Sequence, residues 1–461
     1  MRHCSATAQP LDARPTDANN MQMHISSLPA DAAADLVREG AVHRAVYTDP
    51  AVFALEQARI FGRAWVYVGH ESEVRAPGDW LLTRLGADEV ILARTDEGGL
   101  ALLHNQCAHR GANVVSCERG HSRHLRCPYH AWTYRLDGRL VGVPMASGYP
   151  SDFCAGAERG LASVARVASY RGFVFGSRAA TGPDLPEFLG ELASALDNMV
   201  DRAPAGTLTA VPGRLRMQYR GNWKLFMENA TDLVHPGFVH ASSVTAARGL
   251  PATLDADAAS AQTAQMLLSN GLTVPEWDQV PLRAASNGHV HMGGFYRSGS
   301  IAPTRTDPVY ERYRAALVAR HGEARTAEIL ALDRFNNLIW PTLSVNARFA
   351  TLRIVQPVAV DRTIVQAACF RFDGAPEEMF DLTLQFLNTG ASAASLVASD
   401  DLEIFERCQR GLAQGGHDWI DVSRGLSADR ADGHGVTGSG TSELSIRNQL
   451  AAWRRWMSEP A

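Results

Sequence analysis

The amino-acid sequence predicts an α+β protein, with a small all-β domain ahead of a larger part in which helices and antiparallel strands are segregated. Two observations carry this. Between residues 65 and 178, short apolar runs are broken by Gly, Pro and Asp turn residues, the spacing of closely packed strands. Beyond residue 179, segments with helical and strand periodicity follow one another without the regular alternation of a parallel-sheet protein. A length of 461 residues allows roughly two to four domains. Apolar residues at 46% and charged residues at 20% are the make-up of an ordinary soluble globular chain. The net charge of −5 offers no basic stripe for nucleic acid or an anionic membrane surface. No apolar run approaches the ~18 residues of a membrane span. Seven scattered cysteines are an odd number and not a disulfide framework, which fits a reducing cytoplasm where Cys is core filler or a metal ligand.

Residues 1–25 are polar and lack the apolar segment of a secretory signal. They are expected to be a disordered extension, with Met21 or Met23 as a possible alternative start. Residues 26–64 are expected to be helical and to pack on the larger domain, because Val52, Phe53, Leu55, Ile60 and Phe61 recur at helical spacing. The all-β domain, 65–178, opens on a strand at Trp65–Gly69. It continues with strands at Asp79–Leu85, Glu89–Thr95, Leu100–Asn105, Thr133–Tyr134 (before the Asp137-Gly138 turn) and Gly172–Gly176. Residues 180–205, Pro/Gly-bounded around a helical stretch at Leu185–Val200, read as a hinge.

In the remainder, 179–461, strands are expected at Val211–Tyr219, Val290–Tyr296, Leu343–Leu352 and Thr363–Phe372. Lys224–Leu233 is expected to be a helix that Pro236-Gly237 breaks or bends. Pro308–His321 is a long helix with Asp307 placed to cap it and Pro308 suited to its first position. Further helices are expected at Thr326–Ala331, Glu377–Asn388, Ser399–Leu412 and Ser442–Met457, and the Gly-rich residues 425–440 as a surface loop.

Two clusters bear metal chemistry. Cys107-Ala108-His109 and Cys127-Pro128-Tyr129-His130 make the pattern C-x-H-x17-C-x2-H. Zinc takes two Cys and two His tetrahedrally. A Rieske [2Fe-2S] centre uses two Cys on one iron and two His on the other. Here each loop supplies one Cys and one His and so reaches both irons, whereas zinc motifs more often pair like with like, and the spacing favours the Rieske centre. Gly111 and Pro128 permit the tight turns that aim N–H groups at the sulfurs. Cys117 lies outside the pattern and reads as a buried structural thiol. The second cluster, Asp232, His235 and His240, follows D-x2-H-x4-H. Two imidazoles at this spacing can take adjacent positions around one metal, with a carboxylate orienting the first ring. The same spacing also suits a simple core or surface His pair. His289 and His291 share one face of a strand and read as packing or pocket lining; His104, His121 and His124 flank the cluster loops.

Asn105-Gln106-Cys107-Ala108-His109-Arg110-Gly111 and Cys127-Pro128-Tyr129-His130-Ala131-Trp132, together with Asn222-Trp223-Lys224, Glu228-Asn229, Asp232, His235 and His240, resemble the two motifs of the ring-hydroxylating oxygenase α (large) subunits. The resemblance spans about residues 40–460, and Ala131 departs from it, Gly being commoner there. It implies a Rieske [2Fe-2S] domain plus a helix-grip (START-like) α+β catalytic domain holding a mononuclear Fe(II). The cluster ligands would be Cys107, His109, Cys127 and His130. The iron ligands would be His235, His240 and the second acid of the Asp400-Asp401 pair, Asp401, with Asp400 as the alternative. Taken alone, that acidic pair is an ordinary helix start favoured by the helix dipole. Asp232 would link His130 of one protomer to His235 of the next in a homotrimer.

The sequence has no flavin or nicotinamide fingerprint, so electrons would come from a flavin- and NADH-dependent reductase, with or without a ferredoxin. A small β subunit is a possible further partner. The implied activity is cis-dihydroxylation of an aromatic substrate by dioxygen, in the benzoate, phenoxybenzoate or terephthalate-like branch. A carboxylated substrate would want an Arg in the pocket, and Arg348 and Arg353 are the candidates. A monooxygenase or O-demethylase of the same architecture shares every ligand, and a non-catalytic Rieske electron carrier would lack the mononuclear iron.

Overall fold

The structure is a computed structural model and describes residues 33–249, 267–268, 270–295 and 307–459. The expected extension at 1–25 lies outside the described residues, as does Tyr296. The first described residues depart from expectation. In place of continuous helix, Val37–Arg38 and Ala41–His43 form a hairpin about Gly40, whose φ of 69° favours glycine, and the hairpin is extended by Trp419–Asp421. Helix begins only at Ala45–Thr48 and Pro50–Arg59, where the Asp49 carboxylate accepts from the Ala51 N–H and Pro50 takes the first turn.

The all-β part is built from three antiparallel sheets. One has the order Leu100–His104, Asp88–Arg94, Asp79–Leu85, Arg119–His121. A second, of Leu140–Gly142, Thr133–Tyr134 and Leu125–Arg126, supports the two Cys/His loops, and a third joins Arg166–Tyr170, Phe173–Ser177 and Val66–His70. The stretch expected as a hinge is packed instead. Leu185, Phe188, Leu192, Leu196 and Met199 are buried with Phe173, Phe175, Val345 and Leu352. Pro and Gly there end short helices: Gly190, at φ 48°, separates Leu185–Leu189 from Ala193–Asp201.

The larger part is one long antiparallel sheet. Its order is Leu208–Ala210, Arg362–Phe372, Thr351–Ala359, Leu343–Asn346, Leu332–Ile339, Val290–Phe295, Pro281–Ala284, Val436–Ser439, Arg430–Ala431, with Leu215–Tyr219 also on Arg362–Phe372. Helices Trp223–Asn229, Glu378–Phe386, Ala398–Leu412 and Leu444–Ser458 accompany it, and Asp307 caps Pro308–His321 by accepting from the Tyr310 N–H.

Three further expectations are corrected. Leu343–Leu352 is not one strand, because residues 347–350 turn, with Ala350 at φ 48°, and a new strand starts at Thr351. Residues 425–440 are not all loop, because Val436–Ser439 pairs with Pro281–Ala284. Their glycines serve close approach: a Cβ on Gly438 would come 2.8 Å from the Asp429 carboxylate, and one on Gly440 2.1 Å from the Trp277 carbonyl. The helix carrying Asn222-Trp223-Lys224 ends at Asn229, before Pro236, which starts a new short helix at its first position, where its missing N–H costs nothing.

One buried ion pair ties the chain's ends to this region. The Glu56 carboxylate accepts from Lys224 Nζ at 2.5 Å and from the indoles of Trp223 at 2.8 Å and Trp453 at 2.6 Å. Glu56 is fully buried and Lys224 nearly so, so each charge depends on the other.

Candidate metal centres

The two Cys/His loops are built alike. In each, the cysteine N–H donates to the carbonyl five residues on (Cys107 to Ala112, Cys127 to Trp132). In each, the N–H four residues on donates back to the cysteine carbonyl (Gly111 to Cys107, Ala131 to Cys127). Closing this turn requires a positive φ at its fourth residue after the Cys: 72° at Gly111 and 57° at Ala131. Ala131, the departure from the family pattern, therefore puts an L side chain in a left-handed position that glycine occupies freely.

Both thiols are buried, while His109 and His130 lie nearer the surface with ring centroids 4.7 Å apart. Trp132 stacks flat on His109 at 4.8 Å. Tyr134 Oη lies 3.1 Å from Cys107 Sγ and accepts from the Ala108 N–H at 3.3 Å, which leaves its own hydrogen for the sulfur. Burial pushes the Cys107 thiol up, a cost that metal ligation of the thiolate removes. Nδ1 of His109 and of His130 are buried and have no hydrogen-bond partner among the described residues. Two thiols and two unpartnered ring nitrogens converging from twin loops are the donor set a Rieske cluster takes. Cys117 is half-buried and packs beside this core.

The second centre draws on two helices distant in sequence. Asp401 Oδ1 lies 3.6 Å from His235 Nε2 and 3.3 Å from His240 Nε2, and the three ligand-type side chains form one compact cluster. Asp400 sits on the other edge of His240, 3.6 Å from Nδ1, and is not part of that cluster. Burial lowers the pKa of His235 against the pull of Asp401 and Asp232. Burial also opposes charge on His240, but Asp401 and Asp400 together hold its pKa above the usual value. The carboxylate thus faces the two Nε2 atoms together, the facial arrangement of two His and one carboxylate that suits a non-heme Fe(II).

Asp232 accepts from the Val234 N–H at 2.8 Å, lies 3.8 Å from His235 Nδ1, and stays partly exposed beside Arg424 at 3.8 Å. Among the other histidines, His289 is a satisfied core residue. Its Nδ1 accepts from the Trp340 N–H at 3.0 Å, so Nε2 donates to the Phe188 carbonyl at 2.8 Å. His291 pairs with Glu191 at 2.9 Å; His121 and His124 are exposed.

Three side chains carry weight here through partners that the sequence did not reveal. Tyr134 lies within the strand that follows the second loop, and only the folded hairpin brings it to Cys107. Asn229 Nδ2 donates to Asp401 Oδ1 at 3.1 Å; its place in the motif marked it, but its partner is 172 residues away. Arg424, next to Asp232, had no signal.

The chain matches two family profiles in succession, the Rieske [2Fe-2S] domain over residues 64–165 and the ring-hydroxylating α subunit catalytic domain over residues 208–459. It belongs to the ring-hydroxylating oxygenase α subunits. The α subunit of toluate 1,2-dioxygenase from Pseudomonas putida is 31% identical over 424 residues, covering 89% of this chain and 86% of that protein. The large subunit of anthranilate 1,2-dioxygenase from Acinetobacter baylyi is 32% identical over 394 residues, covering 83% and 80%. A crystal structure of a naphthalene 1,2-dioxygenase variant bound to phenanthrene superposes with a TM-score of 0.77 at 26% identity, covering 92% of this chain and 94% of that one.

The protein is therefore a Rieske non-heme iron oxygenase, an oxidoreductase whose cofactors are a Rieske [2Fe-2S] cluster and a mononuclear iron. Members of the family work with reductase or ferredoxin partners in α3 or α3β3 assemblies. No helix among the described residues is long and apolar enough to cross a membrane.

Proposed function

We propose that this α subunit uses dioxygen and reductase-derived electrons to cis-dihydroxylate the ring of an aromatic carboxylate, as a homotrimer in the cytoplasm. The observation that carries the reading is the cluster of His235, His240 and Asp401, two imidazoles and one carboxylate that leave the remaining coordination positions open. The toluate and anthranilate dioxygenases among its relatives support the substrate class.

In this reading Cys107, His109, Cys127 and His130 hold the cluster and His235, His240 and Asp401 hold the iron. When bound, the cluster would supply electrons one at a time and the iron would provide the site of dioxygen activation. The protein's part is to hold and orient. Asn229 orients the Asp401 carboxylate by donating to Oδ1, the same oxygen that faces the two Nε2 atoms. The Asp232 carboxylate is held by the Val234 N–H with one edge toward His235 Nδ1 and the other side half-open. That open side suits a hydrogen bond from the ring of His130 on a neighbouring copy, joining the two centres across an interface. Exposed Tyr129 and Met145 near the cluster loops and exposed Phe238 beside His235 and His240 supply apolar surface for such a contact.

Turnover of a panel of benzoates with a surrogate reductase and isotopically labelled dioxygen tests the function. Two labelled oxygen atoms in a dihydrodiol are expected. A product carrying one labelled atom, or loss of an alkyl group, refutes the dioxygenase reading.

A further inference from the structure

Arg353 stands on the strand Thr351–Ala359, between Ser344 on one neighbouring strand and Ala367 on the other, on the sheet face turned toward Phe226 of the motif helix. Its neighbours along the strand, Leu352 and Ile354, are buried on the opposite face. Arg353 itself keeps intermediate exposure on an interior strand of the ten-stranded sheet. Its Nη2 donates to the side-chain amide oxygen of Asn336 and, at 3.0 Å, to the Ser344 hydroxyl, both neutral. Nε and Nη1 make no hydrogen bond among the described residues, and neither is sealed from solvent.

Three cations held inside the fold have carboxylate partners, Lys224 with Glu56, Arg214 with Glu73 and Arg447 with Asp429, while Arg59 and Arg202 donate to backbone carbonyls. Arg353 has none within ion-pair distance among the described residues. The nearest acid to act on it is Asp401, and that carboxylate already serves His235 and His240. Burial alone lowers its affinity for its proton, and Asp401 only partly offsets this. The guanidinium carbon sits over the Phe226 ring, 5.6 Å from its centroid. An anion that reached this interior would find positive charge without a partner and planar N–H donors suited to a carboxylate. Arg348 has no such placing. It lies on the turn at 347–350 with its guanidinium over Phe349.

We propose that Arg353 anchors the substrate's carboxylate and so sets this enzyme's preference for aromatic acids over neutral rings. The assignment rests on the aromatic-acid reading above. Asp401 is near enough to act on Arg353, so a ring held there by its carboxylate lies in the neighbourhood of the His235, His240 and Asp401 cluster.

The test is calorimetric binding of benzoate, toluates and aminobenzoates, each paired with its neutral amide. It uses the oxidised holoenzyme, its Arg353→Met and Arg353→Lys variants, and iron and acid-labile sulfide assays on the same samples. Wild type is expected to favour acids over amides. Arg353→Met is expected to lose about 10- to 100-fold in acid affinity, with amide binding within about threefold and metal content unchanged. Arg353→Lys should fall between, keeping the charge without the planar fork. Unchanged acid preference in Arg353→Met at full metal content overturns the Arg353 assignment and leaves the aromatic-acid reading standing. If the methionine variant loses metal, Arg353→Gln is read in its place, and unchanged acid preference there overturns the assignment in the same way. A wild type that binds no acid of the panel, or binds amides as tightly, overturns the aromatic-acid reading and the assignment with it.

Discussion

Replacing Tyr134 by Phe removes one hydroxyl and nothing else from the core beneath the cluster loops. Tyr134 is fully buried, so no solvent water takes the hydroxyl's place. Its Oη accepts from the Ala108 N–H, which fixes the direction of the O–H···S contact to Cys107 at 3.1 Å. Hydrogen bonds to charged partners contribute about 1.5–3 kcal/mol. The bond exists in both oxidation states, and only the extra attraction to the more electron-rich reduced cluster moves the potential. Taking that difference as about 1 kcal/mol, and about 59 mV per 1.4 kcal/mol for one electron, the midpoint should fall by about 40 mV. Spectroelectrochemical titration of the holoenzyme measures it, with iron and sulfide assays to establish that the cluster is complete. A midpoint within about 10 mV of wild type, or a higher one, would refute the reasoning.

Other outcomes follow from the same contacts. Asp401→Asn should retain the Rieske absorbance while iron falls from about three to about two per chain; three retained irons would remove Asp401 from the site. Asp232→Ala should keep both centres filled yet cut turnover by at least about 100-fold, with single-turnover cluster oxidation slowed to match; normal turnover would sink the intersubunit route. Glu56→Ala strands the buried Lys224 ammonium and two indole N–H groups, and should destabilise the fold by about 3–5 kcal/mol in denaturant titration; a loss below about 1 kcal/mol would show the pair is not needed. Ala131→Gly relieves the left-handed backbone at φ 57°, offset by the unfolded freedom of glycine, and should raise the stability of the Rieske part by about 0.5–1 kcal/mol; destabilisation would mean the methyl group packs usefully.

The cluster loops were legible in the sequence because their chemistry is local. Each loop closes on itself through hydrogen bonds between residues four and five apart, so C-x-H and C-x2-H record almost the whole geometry. His235 and His240 are legible for the same reason, since one short helix separates them. What is remote in sequence was decided by the tertiary structure. Asp401 reaches the two histidines across more than 160 residues, and its neighbour Asp400, equal in type but about 100° round the helix, is turned to the far side of His240. Strand periodicity made Leu343–Leu352 one strand and left Arg348 and Arg353 indistinguishable. The turn at 347–350 put the first on a bend and the second on the inner face of the sheet. The physical reason is common to these cases. A local pattern states which residue types lie together on a loop or a helical turn. Which side of a sheet a cation faces, and whether a carboxylate meets it, depends on strand register and on packing between segments far apart along the chain.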